Sequence, residues 1–274
     1  MTTARREQLL SYAVLGAFAI VAIYPILSIV LLAFHRRSDL VTGFDIPDRL
    51  SFDTFKQAWE LGGFGRGLLN SFIVAASVSV ATAVLSTLAG YAFGAMRFRG
   101  SEPLFYLLLI GLIFPYEATV IPLYYVFKDA GLTDSYWALI LPQIGLSIPF
   151  GTFWMRAFFR STPISLVEAS RLDGASSLAT LLRVLLPQAK PALTTLVVLV
   201  FMWTWNEFLL ALVMVSDEDL RTAPLGLAFF QGQHTSDLTL LAAGAVIVAT
   251  PVVIVYIFLQ RHFIRGMLTG AVKG

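Results

Sequence analysis

Two carboxylates stand inside stretches too apolar to hold a charge cheaply. Glu117 follows Tyr116 and lies 14 residues beyond Pro103, roughly 20 Å along a helix that rises ~1.5 Å per residue. Glu207 sits within Trp203-Thr204-Trp205-Asn206-Glu207-Phe208. A charge at the centre of a bilayer costs about 2.5–3.5 kcal/mol on insertion scales, so such groups are functional suspects. Neither has a basic partner in its own segment, so each must face polar protein or water, or be protonated. Paired carboxylates suit acid–base work or a proton relay. They also suit contact with a solute on its path, or a hydrogen bond between helices. Trp205, Asn206 and Glu207 fit a sugar, whose apolar face packs on an aromatic ring while its hydroxyls pair with amide and carboxylate. The plainer reading is that Trp203 and Trp205 pack between helices and Asn206 bonds a neighbouring backbone. No nucleophile, base and orienting group fall together at one depth, which argues against hydrolysis. The chain has no cysteine, and His35, His234 and His262 are too scattered for a metal site.

The elements that position these groups are membrane helices. Of the 274 residues, 57% are hydrophobic and only 13% charged, with a mean hydropathy of +0.78; soluble domains are about 25% charged. A net charge of +2 and no basic, aromatic-interleaved patch point away from nucleic acid. Six segments are long enough to span a bilayer, near Leu9–Phe34, Leu68–Met96, Leu104–Phe127, Tyr136–Met155, Ala192–Val215 and Thr239–Leu259. The first follows Arg5 and Arg6 but is too long for a secretory signal core and lacks a small-residue cleavage site, so it reads as a retained anchor. Pro115 and Pro122 in span three, with Pro142 and Pro149 in span four, predict kinks that face protein or a wet cavity. No repeat, low-complexity segment or soluble second domain interrupts residues 1–274, which read as a single transmembrane domain.

Charge sets the orientation. One side collects 12 of the 19 lysines and arginines, including both ends and the 156–190 loop, and that side is cytoplasmic by the positive-inside rule. The opposite loops hold most acids, among them Asp39–Asp53 and Asp217–Asp219. The first outer loop, His35–Gly67, carries a short surface-helix pattern after Pro47, then glycines at 62, 63, 65 and 67 that loosen the chain before Asn70-Ser71 opens span two. The 156–190 loop is the polar interlude of the chain. Thr162-Pro163, or a Ser165/Glu168 capping box, starts a short helix there. Gly174 ends it. Ser176 or Ser177 caps a second helix with Leu178, Leu181, Leu182, Leu185 and Leu186 on one stripe, which Pro187 and Pro191 end or kink. A short rod outside the bilayer, hinged to a helix that turns back in, suits docking in a partner's groove.

The run Glu168-Ala169-Ser170, Asp173-Gly174-Ala175, Leu186-Pro187 and Pro191 resembles the EAA loop of bacterial ABC-importer permeases. In that family the loop is a coupling helix seated in a cleft of the cytoplasmic ATPase. The resemblance therefore assigns ATPase coupling to Glu168, Ala169, Ser170, Asp173, Gly174, Ala175, Leu186 and Pro187, with Ser170 where the family has alanine. The Trp-Asn-Glu-Phe run, the Asn70-Ser71 entry and the tail 266–274 resemble the carbohydrate branch, in particular maltose-type second permeases. There the tail contacts the ATPase pair, and the loop corresponding to Ser216–Asp237 reaches toward the docked binding protein.

The resemblance implies an all-α integral membrane protein with six transmembrane helices in the type I ABC-importer permease fold. It implies a substrate pathway touching Tyr116, Glu117, Trp205, Asn206 and Glu207, and a bacterial inner-membrane location with both termini cytoplasmic. The expected partners are a homologous second permease, a dimeric cytoplasmic ATPase, an extracytoplasmic solute-binding protein, a carbohydrate substrate and membrane lipid. No G-x-x-x-x-G-K-[ST] loop is present, so no cofactor is expected in this chain, and ATP and Mg would be held by the partner ATPase. The alternative is a proton-coupled secondary transporter using Glu117 and Glu207.

Overall fold

The structure, a computed structural model, describes residues 3–39, 44–230 and 237–271, with side chains described for 7–39, 44–230 and 237–258. Among the described residues every regular element is helical; besides the short turns Glu218–Leu220, Ala223–Gly226 and Leu227–Phe230 these are α1 Thr3–Ala33, α2 Asp53–Leu61, α3 Phe64–Ala95, α4 Ser101–Ile110, α5 Tyr116–Asp129, α6 Tyr136–Ser161, α7 Ile164–Leu172, α8 Ser177–Trp205, α9 Leu209–Met214 and α10 Leu238–Ala271. Five stretches are single helices long and apolar enough to cross a membrane, within α1, α3, α6, α8 and α10. The remaining span departs from the expected Leu104–Phe127 helix. It is two helices, α4 and α5, separated at residues 111–115. Pro115 has no amide to donate and holds extended backbone at ψ 118°, and a residue before proline is pushed out of the helical region. The last α4 carbonyls are taken by tight turns instead, with Gly111, Leu112 and Ile113 amides donating to Leu108, Leu109 and Ile110 at 2.9–3.1 Å.

The fifth span also differs from Ala192–Val215. Its helix begins at Ser177, runs through Pro187 and Pro191, and stops at Trp205. Residues 180–185 form a π-helical stretch, and Pro187 stands just where the bonding register returns to that of an α-helix. Its missing N–H falls in the first turn of the renewed helix, where proline costs least. Helix α6 likewise continues through Pro142 and Pro149.

The described residues form two compact units, residues 1–65 with 226–251, and residues 66–225 with 252–274. In the first, the apolar window of α1 has no buried residue, as a lipid-facing anchor requires. The outer segment folds back on itself. Phe34 meets Phe52 and Phe55 at ring separations of 5.5 and 5.0 Å, and the Thr54 hydroxyl donates to the His35 carbonyl at 2.6 Å. His35 is buried and pairs with the Leu31 carbonyl through Nδ1 at 3.0 Å. The glycines at 65 and 67 lie inside α3 rather than loosening the chain before it. At the start of α10, Asp237 accepts from the Leu240 amide and the Thr239 hydroxyl at 3.1 and 3.0 Å, and Arg37 donates to it.

In the second unit the fully buried core includes Leu139, Met155, Leu181, Leu185, Leu196, Leu210 and Met214. Helices α3 and α6 touch almost backbone to backbone. A Cβ on Gly90 would stand 2.5 Å from that of Met155, so only glycine fits there. Trp154 of α6 donates to the Ala192 carbonyl of α8 at 2.9 Å. Asn70, 1% exposed, explains the Asn-Ser entry. Its amide donates to the Asp219 and Arg221 carbonyls at 2.9 Å while its oxygen accepts from Tyr136 at 2.7 Å. Ser71 accepts from the Ala223 amide at 2.9 Å, so this pair holds down the loop at residues 219–223. Residues 231–236 of the loop Ser216–Asp237, and the tail residues 272–274 with the side chains of 259–271, lie outside the described residues.

Burial opposes ionisation of Asp237, but the Leu240 amide, the Thr239 hydroxyl and Arg37 outweigh it and hold the carboxyl below its ordinary 3.8. The stabilisation is thus present above that ordinary value and is lost as pH falls through the lower, folded-state value. Asp237→Ala is predicted to lower stability at pH 7 by about 1 kcal/mol, the typical worth of an N-cap. Thermal midpoints of the purified protein would show a gap from wild type at pH 7 that narrows below pH 3.8.

Candidate functional site

Helix α7 is nine residues long and follows α6 after Thr162 and Pro163. It starts at Ile164 with no side-chain cap, so Pro163 precedes the first turn rather than opening it, and the Ser165/Glu168 box does not form. Its end is the motif expected of Gly174. That glycine has φ +77°, its amide donates to the Arg171 carbonyl, and the Ala175 amide reaches the Ser170 carbonyl, both at 3.0 Å. Ser176 then caps α8 by accepting from the Ala179 amide at 3.2 Å.

The two faces of α7 do different things. Val167 and Ser170 are buried at 7% exposure. The Ser170 hydroxyl donates to the Val167 carbonyl at 2.9 Å and lies 2.9 Å from the Thr180 hydroxyl. A hydroxyl has one proton, so Thr180 is the donor in that second bond. Thr180 is the first residue of the π-helical stretch, and Leu181 and Leu185 complete the seat. Glu168, Ala169 and Leu172 share the opposite face at helical spacing and are exposed, together with Asp173 and Gly174. Leu172 is 89% exposed. Ala175 and Leu186 are half-buried, and Pro187 is exposed.

The second group of expected residues gathers at the two broken spans. Tyr116 opens α5, and its hydroxyl donates to Glu207. Glu207 lies in the gap between α8 and α9, where its carboxylate accepts from the Leu210 amide at 3.0 Å and the Ala211 amide at 3.3 Å. It thereby caps α9, and the dipole of that helix favours the negative group. Asn206 is exposed and its amide closes the end of α8 on the Met202 carbonyl at 2.7 Å. Glu117 is exposed in the first turn of α5. Trp205 is set apart from these. It is 2% exposed and stacks on Phe201 at 5.7 Å, whereas Trp203 is exposed and packs edge-on against Phe150. Among the described residues no group of His, Asp and Glu stands ready to hold a metal.

The comparisons with known proteins resolve what such an arrangement belongs to. Residues 83–269 match the family described as binding-protein-dependent transport system inner membrane component. The chain belongs to this permease family. It is 36% identical over 258 residues to a probable ABC transporter permease of Bacillus subtilis, covering 94% of this chain and 86% of that one. It is 33% identical over 255 residues to a trehalose transport system permease of Mycobacterium tuberculosis, covering 92% and 93%. A crystal structure of a bacterial ABC transporter that imports the acidic polysaccharide alginate has a chain matching at a TM-score of 0.81, with 25% identity over 96% of this chain and 99% of that one. The permease fold, the membrane location and the ABC-importer class follow, and a proton-coupled secondary transporter is not favoured.

Sequence reasoning marked the loop of this permease but missed Leu172 and Thr180. Leu172 carried a signal, since it stands four residues after Glu168 on one helical face. Thr180 carried none, because its role depends on a π-helical register that spacing does not announce. The seat yields a test. Ser170→Ala and Thr180→Val should each weaken the packing of α7, and the pair should show a coupling energy of at least about 0.5 kcal/mol, as residues sharing one hydrogen-bond network do. A double-mutant cycle on thermal stability of the purified complex measures it.

Proposed function

We propose that this permease forms half of the translocation pathway of an ATP-driven importer for a carbohydrate or sugar derivative. It pairs with a homologous second permease and works with a dimeric cytoplasmic ATPase and an extracytoplasmic solute-binding protein. Both termini and α7 lie in the cytoplasm on this reading, as the basic bias of their loops favours. The observation that carries the coupling role is the split of α7 into two faces. Val167 and Ser170 are spent inside the permease while Leu172, at 89% exposure, is left for another protein. Glu168 and Ala169 flank it on the same face. An exposed apolar anchor beside the charged Glu168, Arg171 and Asp173 is how a short helix docks in a groove.

ATP binding and hydrolysis belong to the partner, which holds the nucleotide and its magnesium. The chain has no phosphate-binding glycine loop of its own. Closure of the ATPase pair moves α7, and α7 moves α8 and the breaks at residues 111–115 and 206–208. Tyr116 and Glu207 tie those breaks together, and Glu117 and Asn206 present polar groups beside them. On this reading Glu117, Tyr116, Asn206 and Glu207 border the solute path, and Trp205 supports them from the core. Carbohydrate cargo is supported by the trehalose and alginate transporters to which the chain is similar.

Leu172→Asp and Glu168→Lys are the tests. Membrane insertion should stay unchanged. Co-purification of the ATPase and binding-protein-dependent sugar uptake should each fall at least about tenfold, as loss of a docking anchor worth ~2 kcal/mol implies. Normal uptake of labelled sugar by both variants would overturn the proposal.

A further inference from the structure

A cavity of about 400 Å³ opens beside the base of α7, lined by Phe93, Met96, Arg97, Ser101, Glu102, Phe159, Arg160, Ile164 and neighbouring backbone. Three membrane segments end around it, α3 at Ala95, α4 at Ser101 and α6 at Ser161. That is the level at which hydrocarbon gives way to headgroups. The charge there is unbalanced, with the guanidiniums of Arg97 and Arg160 in the lining against the one carboxylate of Glu102, and that of Arg156 bonded to the same carboxylate. The carboxylate is already engaged, 2.7 Å from Arg156 and 3.8 Å from Arg160. Arg156 is built in. It is 8% exposed, donates to the Phe93 carbonyl at 3.2 Å, and lies 3.7 Å over the Phe105 ring. Arg97 is exposed and has no acidic partner among the described residues. Apart from Ser101 and Thr162 the remaining side chains of the wall are aromatic and aliphatic.

We propose that this cavity binds the headgroup of an anionic phospholipid from the cytoplasmic leaflet. Arg97 and Arg160 take the phosphate oxygens, as arginines at a leaflet surface do. Arg156 holds Glu102 against repelling the phosphate, and the Ser101 hydroxyl is a further donor. The apolar wall of Phe93, Phe159 and Ile164 takes the glycerol and the first methylenes, which a bare phosphate ion does not possess. The volume is within the roughly 300–1,000 Å³ of small-molecule sites. A lipid held there touches Ile164 at the first turn of α7, so the leaflet's composition bears directly on the coupling helix. The inference rests on the membrane placement of the chain and not on the coupling proposal.

The test uses the assembled transporter in detergent, with phosphatidylglycerol and phosphatidylcholine as probes and retained lipid counted by native mass spectrometry. Wild type should retain phosphatidylglycerol in preference by on the order of tenfold, as two arginines near a surface support. The Arg97→Gln, Arg160→Gln double variant should lose that preference, while the corresponding lysine variant keeps most of it and shows that the complex still assembles. Equal retention of both lipids, an unchanged preference in the glutamine variant, or displacement of the lipid by millimolar inorganic phosphate would each overturn the proposal. Lipid retention is read without transport, so a failure of uptake does not bear on it.

Discussion

A helix of nine residues does not hold together in water on its own. What gives α7 its shape is its seat on the start of α8, where Val167 and Ser170 are buried against Thr180, Leu181 and Leu185. Its far end is closed by the turn at Gly174, a position where a side chain would be strained at φ +77°. With both ends fixed, α7 is held against the helix it sits on. The π-helical stretch at residues 180–185 lies directly under this seat. Such stretches are rare and cluster at functional places, and here one connects the short helix α7 to a helix long and apolar enough to cross the membrane.

The same constraint governs the other end of α8. In lipid a backbone group without a partner costs several kcal/mol, so a helix stops within the membrane only where its loose ends are met. Both breaks in this permease satisfy that demand from within. Tight turns close α4, Asn206 closes α8, and the Glu207 carboxylate meets the first amides of α9. Tyr116 then joins one break to the other. The two carboxylates that seemed costly in an apolar chain thus both stand at helix N-termini, where the backbone supplies part of what water would.

Much of this was legible in the chain. The apolar spans and the cap at Gly174 are local signals with local causes that announced a helical membrane protein, while the permease class was carried by the resemblance of the Glu168–Pro191 run. The spans that broke were misplaced for a physical reason. Apolarity reports that a segment is in the membrane but not whether its backbone is continuous, so Leu104–Phe127 and Ala192–Val215 read as whole helices. Pro115 does break its span, while Pro122, Pro142, Pro149, Pro187 and Pro191 lie inside helices that continue through them. Trp205 was marked for its ring, and its stacking on Phe201, four residues earlier on the same face of α8, is a local contact. Its burial at 2% depends on the packing around the helix, which spacing does not announce. Asn70 was noticed only as part of a pattern, and its work in holding the loop at residues 219–221 became plain from its partners.

The central claim is that motion at α7 travels through α8 to the membrane helices. Because the chain has no cysteine, spin labels at Asp129→Cys and Arg171→Cys are the only ones this subunit would carry. The pulsed-EPR distance between them, in the assembled transporter with and without trapped ATP, is the direct measurement. The account predicts that the distance distribution shifts on ATP binding. An unchanged distribution in a complex that still hydrolyses ATP and moves solute would contradict it.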